Sequence, residues 1–126
     1  MEPVTVLVIE NAAAEAALIR AALARCTQVR VVDSLGEPSA PIALAIAGAS
    51  ALAESTDQLE TLRARGIPVV GVAAGLSAAV KKRALGAGVR EIHERPSEWR
   101  PYSELIDSLV ARFTRRGSPP RPGRTS

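Results

Sequence analysis

The chain has 126 residues, 47% of them hydrophobic, and one cysteine, Cys26; this describes one domain with a core, and it excludes an internal disulfide and a cysteine metal cluster. The net charge of +3 is uneven: residues 115–126 hold four arginines and no acid, so residues 1–114 carry 12 basic against 13 acidic side chains. The basic balance belongs to the tail, which weakens a nucleic-acid role for the domain itself; no run of about 18 apolar residues offers a transmembrane helix.

Taken in chain order, strand alternates with helix, which predicts a mainly parallel α/β sheet. Val4–Ile9 is an apolar run, so it reads as a central strand covered on both faces. Asn11 is placed to cap a helix over Ala12–Arg25, where Leu18, Ile19, Ala22 and Leu23 form one stripe. Val29–Val32 and Ile42–Ala47 read as the second and third strands. Only eight residues, Asp33–Ala40, lie between Val32 and Pro41, with Gly36 and Pro38 among them. A parallel crossover normally takes about a dozen or more residues. Eight extended residues reach about 26 Å, enough for a loop but not for a full helix.

Ser55 and Gln58 resemble a capping box for a helix over Thr56–Arg65, which Gly66 and Pro68 end. Val69–Val72 is the fourth strand, Ser77 caps a helix over Ala78–Leu85, and Val89–His93 is the fifth strand. Pro101 suits the first turn of a last helix through Phe113. On it, Tyr102, Leu105, Ile106, Leu109, Val110 and Phe113 recur at three- and four-residue spacing, an amphipathic face. The tail, residues 115–126, is rich in Pro, Gly and Arg and reads as a disordered tail or linker beyond a domain at 1–114. Met1-Glu2-Pro3 lacks the pattern of a signal peptide, so the cytoplasm is the expected location.

Four fragments arrive in a telling order and spacing: Val4-Thr5-Val6-Leu7-Val8-Ile9-Glu10-Asn11, Ile67-Pro68-Val69-Val70, Ala84-Leu85-Gly86-Ala87-Gly88 and Arg95-Pro96. Together they resemble the receiver domain of bacterial two-component response regulators over about residues 4–112. The resemblance implies a flavodoxin-like three-layer sandwich with a five-stranded parallel sheet of order 2-1-3-4-5. The short connection then implies a second helix missing or cut to one turn, with part of a sheet face left for a partner to cover. The family's lysine–proline bond is typically cis, which implies a cis Arg95–Pro96 bond.

Receivers accept a phosphoryl group on an aspartate at the end of strand three. An acidic pair ending strand one holds magnesium, because a hard cation needs carboxylate oxygens. A hydroxyl ending strand four and a lysine ending strand five contact the phosphoryl oxygens, and an aromatic on strand five reports the state. On this chain the acidic pair falls on Glu10 and Asn11, the aspartate on Ile46 or Ala47, the hydroxyl on Ala73, the aromatic on Ile92 and the lysine on Arg95. No Asp or Glu occurs between Pro41 and Ala53, so no slip of alignment restores the nucleophile. The chain therefore resembles a pseudo-receiver, a signalling fold without phosphotransfer: not an enzyme, with no metal site and no cofactor expected.

Glu10 is expected to be solvated or paired with Arg95. His93, the one histidine, has no ligand partners or catalytic base constellation around it in sequence. Two similar loops, Ala47-Gly48-Ala49-Ser50 and Ala74-Gly75-Leu76-Ser77, follow strands three and four at the edge where α/β sheets bind ligands. They support an alternative, a small-anion or nucleotide sensor, although neither is a Walker or dinucleotide fingerprint. The expected function is protein–protein interaction, with a partner or with a second copy. The expected face carries Lys81, Lys82 and Arg83 on the fourth-strand-following helix and Trp99, Tyr102 and Ile106 on the last. Membrane contact is not expected, and nucleic acid only through the arginine tail.

Overall fold

The computed structural model describes residues 4–26, 29–33 and 41–114. The tail and all but the first residue of the short second connection thus lie outside the described residues, together with the expectations placed on them. The elements are β1 (Val4–Ile9), α1 (Ala13–Ala24), β2 (Val29–Val32), β3 (Ile42–Ala47), α2 (Ala49–Glu54), α3 (Thr56–Ala64), β4 (Val69–Ala73), α4 (Ala78–Gly86), β5 (Glu91–Glu94) and α5 (Trp99–Thr114). All strand pairs are parallel and the order is β2-β1-β3-β4-β5, the flavodoxin-like arrangement.

The alternation of side chains along each strand divides the core in two. Val6, Val8, Leu44, Ile46, Val70 and Val72 face α1 and α5, where they meet Ile19, Leu23, Tyr102, Ile106 and Leu109. Leu7, Ile9, Ala45, Ala47, Val69 and Ala73 face α2, α3 and α4, where they meet Leu52, Leu59, Leu62 and Ala84. The three inner strands are almost wholly buried, which is why they carry no charge. The edge strands are half-buried and carry Arg30, Glu91, His93 and Glu94, charges that discourage edge pairing.

Several local expectations change. The segment after β3 is not a loop: the alanine-rich run from Ala49 is a helix, α2, that lies close over the sheet. A Cβ on Gly71 would come within 2.8 Å of Leu52, so the glycine in β4 lets α2 approach. Ser77 caps α4 by accepting from the Val80 N–H at 3.2 Å, as expected. Asn11 and Ser55 make no side-chain cap. β5 begins at Glu91 rather than Val89, because Val89 is buried in the turn out of α4. The Arg95–Pro96 bond is trans, as are all the described peptide bonds. Near the short connection, Leu7 is buried and Val32 and Ile42 are half-buried.

Candidate functional site at the carboxyl edge of the sheet

The parallel register brings the strand ends together: Ile9 beside Ala47, Ala47 beside Gly71, and Ala73 beside Glu94. Two backbone bonds tie the segments that leave the edge, Gly48 N–H to Ile9 O and Arg95 N–H to Ala73 O, each 3.0 Å. Glu10, Asn11, Ile46, Ala47, Ala73 and Arg95 therefore sit at the C-terminal ends of their strands, around one edge.

At the ends of β3 and β4 the side chains are apolar. Ile46 and Ala47 are both fully buried, one in each half of the core. Ala73 is buried and contributes no hydroxyl. Ile92 is half-buried and packs against the α2–α4 half of the core. Among the described residues no group of three or more His, Cys, Asp or Glu is placed to hold a metal ion.

Glu10 is neither solvated nor paired with Arg95. Its Oε1 accepts from the Ser50 N–H at 3.1 Å and the Ala51 N–H at 3.3 Å. Its Oε2 accepts from the Ser50 hydroxyl at 2.7 Å and the Ala12 N–H at 3.0 Å. A carboxylate offers about four lone-pair directions, and here four donors take them. The side chain thus ties the N-terminal turn of α1 to that of α2, where a negative charge is favoured by the exposed N–H groups. The Ser50 hydroxyl also accepts from the Asn11 N–H at 3.2 Å, so Asn11 contributes its backbone and leaves its side chain exposed. The clasp needs the glycine before α2: a Cβ on Gly48 would stand 2.4 Å from Glu10 Oε1. It also takes the Ser50 N–H and hydroxyl of the first Ala-Gly-Ala-Ser loop, donors an external anion would need.

Arg95 instead pairs with Glu15 of α1 through Nε at 3.0 Å. Glu15 comes one helical turn after the polar pair, so it reaches across the edge to the residue that ends β5. Both residues lie close enough to Tyr102 for their charges to act on its phenol. Burial and the Glu15 charge push the Tyr102 phenol up to about 12, and Arg95 partly offsets them. Glu15 is a site residue that sequence reasoning missed, and Ser50, placed there in a ligand-binding loop, is instead a partner of Glu10. Each is an ordinary helix residue whose partner lies in another segment of the chain.

The expected interaction face divides. Lys81, Lys82 and Arg83 are exposed, and so is Trp99 at 46%. Tyr102 and Ile106 are buried and belong to the core, a correction with a simple cause: both lie on the apolar stripe of α5 and Trp99 precedes it. The Trp99 and Tyr102 rings are tilted neighbours 6.0 Å apart. Leu18, Arg95, Pro96 and Glu98 join them around an open cavity of about 210 Å³. His93 Nε2 lies 2.6 Å from Glu91 Oε1, which also accepts from Arg112 at 2.6 Å. Burial works against ionising Glu91, but those two partners outweigh it and hold its carboxyl below the usual range.

No protein-family description matches this sequence, and no curated protein does. Solved structures do match, and they are response regulator receiver domains. The phosphorylated cyanobacterial phytochrome response regulator RcpA is 12% identical, with a TM-score of 0.69 over 94% of this chain and 99% of that one. The response regulator RPA3017 of R. palustris red-light signalling is 20% identical, with a TM-score of 0.68 over 94% and 99%. A CheY-like receiver domain protein from Methanospirillum hungatei JF-1 is 18% identical, with a TM-score of 0.64 over 92% and 100%. The chain has the fold of these receivers. No helix among its described residues is long and apolar enough to cross a membrane.

Proposed function

We propose that this chain is a receiver-like signalling module that works through protein–protein contact and does not accept a phosphoryl group. The observation that carries the reading is the end of β3, where Ile46 and Ala47 are buried and carry no nucleophile. The one carboxylate of the former acidic pair, Glu10, supports it, because its four hydrogen bonds leave no open coordination position for magnesium. The structural neighbours support the signalling part. The partner is a protein or a second copy of this chain, met in the bacterial cytoplasm, with residues 115–126 as an appended basic tail or linker. Exposed Trp99 and the basic residues of α4 are the candidate contact surfaces.

The test is molar mass in solution by light scattering over a range of concentrations, with and without magnesium and beryllofluoride, which mimics an aspartyl phosphate. The expected mass is unchanged by beryllofluoride. A mass that follows beryllofluoride requires a working acceptor carboxylate and overturns the reading.

A further inference from the structure

From residue 61 to residue 90 the chain has six basic side chains and no acid. The fold gathers these six, Arg63, Arg65, Lys81, Lys82, Arg83 and Arg90, on the flank formed by the end of α3, all of α4 and the turn into β5. Arg63 reaches the end of α4 and donates to Gly86 O at 3.4 Å. Arg83 reaches the end of α2 and donates to Ala53 O at 3.1 Å. Among the described residues none of the six takes part in an ion pair. The acids of this side, Glu54, Asp57 and Glu60, stand at the end of α2 and on the first turns of α3.

On α4 itself, Leu85 is 48% exposed, one of two large apolar side chains so exposed among the described residues. It lies three and four positions after Lys82 and Lys81, so the three share one helix surface. Leu85 thus places an apolar surface directly between lysine side chains.

We infer that α4 and the end of α3 form a docking surface for an acidic protein segment that carries an apolar side chain, with Leu85 as the apolar contact and the six cations as its complement. This rests on the reading that the chain acts by protein contact, and it names the chemistry of the partner. Charge complementarity selects an anionic partner and speeds its encounter. The apolar contact selects protein over nucleic acid. Binding of single strands uses aromatic stacking platforms, and this chain's three aromatics, Trp99, Tyr102 and Phe113, all lie on α5.

The test is a titration of the isotope-labelled full chain followed by amide NMR. The probes are a short acidic amphipathic peptide bearing leucines, the same peptide with serine for leucine, and oligothymidine. The leucine peptide is expected to shift amides of Lys81–Gly86 and to bind about tenfold more tightly than the serine peptide. Leu85→Ser is expected to remove that difference, and Lys81→Glu with Lys82→Glu to abolish binding, in chains whose remaining spectrum is unchanged. Equal binding of the two peptides, tighter binding of oligothymidine on the same face, or silence of α4 towards every probe overturns the inference. Magnesium and beryllofluoride added without peptide test the underlying reading separately: a silent spectrum there with a silent α4 here sinks this inference alone.

Discussion

Arg20, Arg25, Arg95, Arg100 and Arg112, on or beside α1 and α5, each meet a carboxylate within 3.4 Å. Arg63, Arg65, Lys81, Lys82, Arg83 and Arg90, on the α3/α4 flank, meet none among the described residues. The same sheet is covered on both faces, yet the arginines of the first flank meet acidic partners within the chain, and the cations of the second, among the described residues, do not. Exposed ion pairs contribute only about 0.2–1 kcal/mol each, so the pairing does not hold the α1/α5 flank together. Apolar packing does that: Tyr102, Ile106 and Leu109 of α5 lie against Ile19 and Leu23 of α1 and the sheet. The difference teaches that, among the described residues, the arginines beside α1 and α5 are neutralised within the chain while the α3/α4 cations are not.

The largest effect comes from placing a carboxylate at the end of β3, the position the proposed reading matches to a receiver's acceptor, once on each face of the sheet. Ile46→Asp is expected to lose more than about 4 kcal/mol in chemical denaturation, because a charge enters the α1/α5 core. Ala47→Asp faces α2 instead and is expected to be comparably severe. If Ala47→Asp stays folded and then responds to beryllofluoride, the α2–α4 flank is loose enough to readmit the chemistry, and the two cores are not equivalent.

The clasp between the flanks comes next. Glu10→Ala is expected to cost about 1–3 kcal/mol, since it removes an acceptor from four donors. Combined with Ser50→Ala, the losses should fall short of additive by about 0.5–3 kcal/mol. Additive losses would mean that Glu10 and Ser50 do not act together. Gly48→Ala is expected to cost about 1–3 kcal/mol through its clash with Glu10, a cost that Glu10→Ala should relieve.

Tyr102 gives the α1/α5 flank a pH signature. Its phenol is raised from 10.0 to about 12. The folded chain keeps a proton that the unfolded chain has lost, so this contribution is complete below pH 10.0 and is lost as pH rises through about 12. Ultraviolet titration of the single tyrosine, beside denaturation at each pH, checks both. Tyr102→Phe is expected to remove the slope and to change stability at neutral pH by less than about 0.5 kcal/mol, since the hydroxyl is buried and makes no hydrogen bond among the described residues.

The smallest effects contrast the two kinds of cation directly. Arg25→Ala breaks a two-pronged contact with Asp107 at 3.0 and 3.2 Å and is expected to cost about 0.2–1 kcal/mol, less at high salt. Lys82→Ala is expected to stay within about 0.5 kcal/mol of the parent at any salt. A larger loss for Lys82→Ala would show that the open flank is needed for folding.

Much of this protein was legible in its residues alone. Apolar runs such as Val4–Ile9 and Ile42–Ala47, short and ended by turn or polar residues, read as buried strands, and the three- and four-residue spacing along α5 marks its inward stripe. The lack of Asp and Glu between Pro41 and Ala53 was legible too, since folding cannot supply a residue type that a segment does not contain. What the tertiary structure decided were the partners. Glu10 found Ser50, which is 40 positions away, and Arg95 found Glu15 rather than Glu10. Trp99 and Tyr102, three positions apart, went to solvent and to core. The alanine-rich run after Gly48 became a helix, with that clasp across its first turn. Periodicity reports which face of an element is apolar, because that depends on neighbours in sequence. A hydrogen bond or ion pair depends on which strand ends the parallel register sets side by side, and no single segment carries that information.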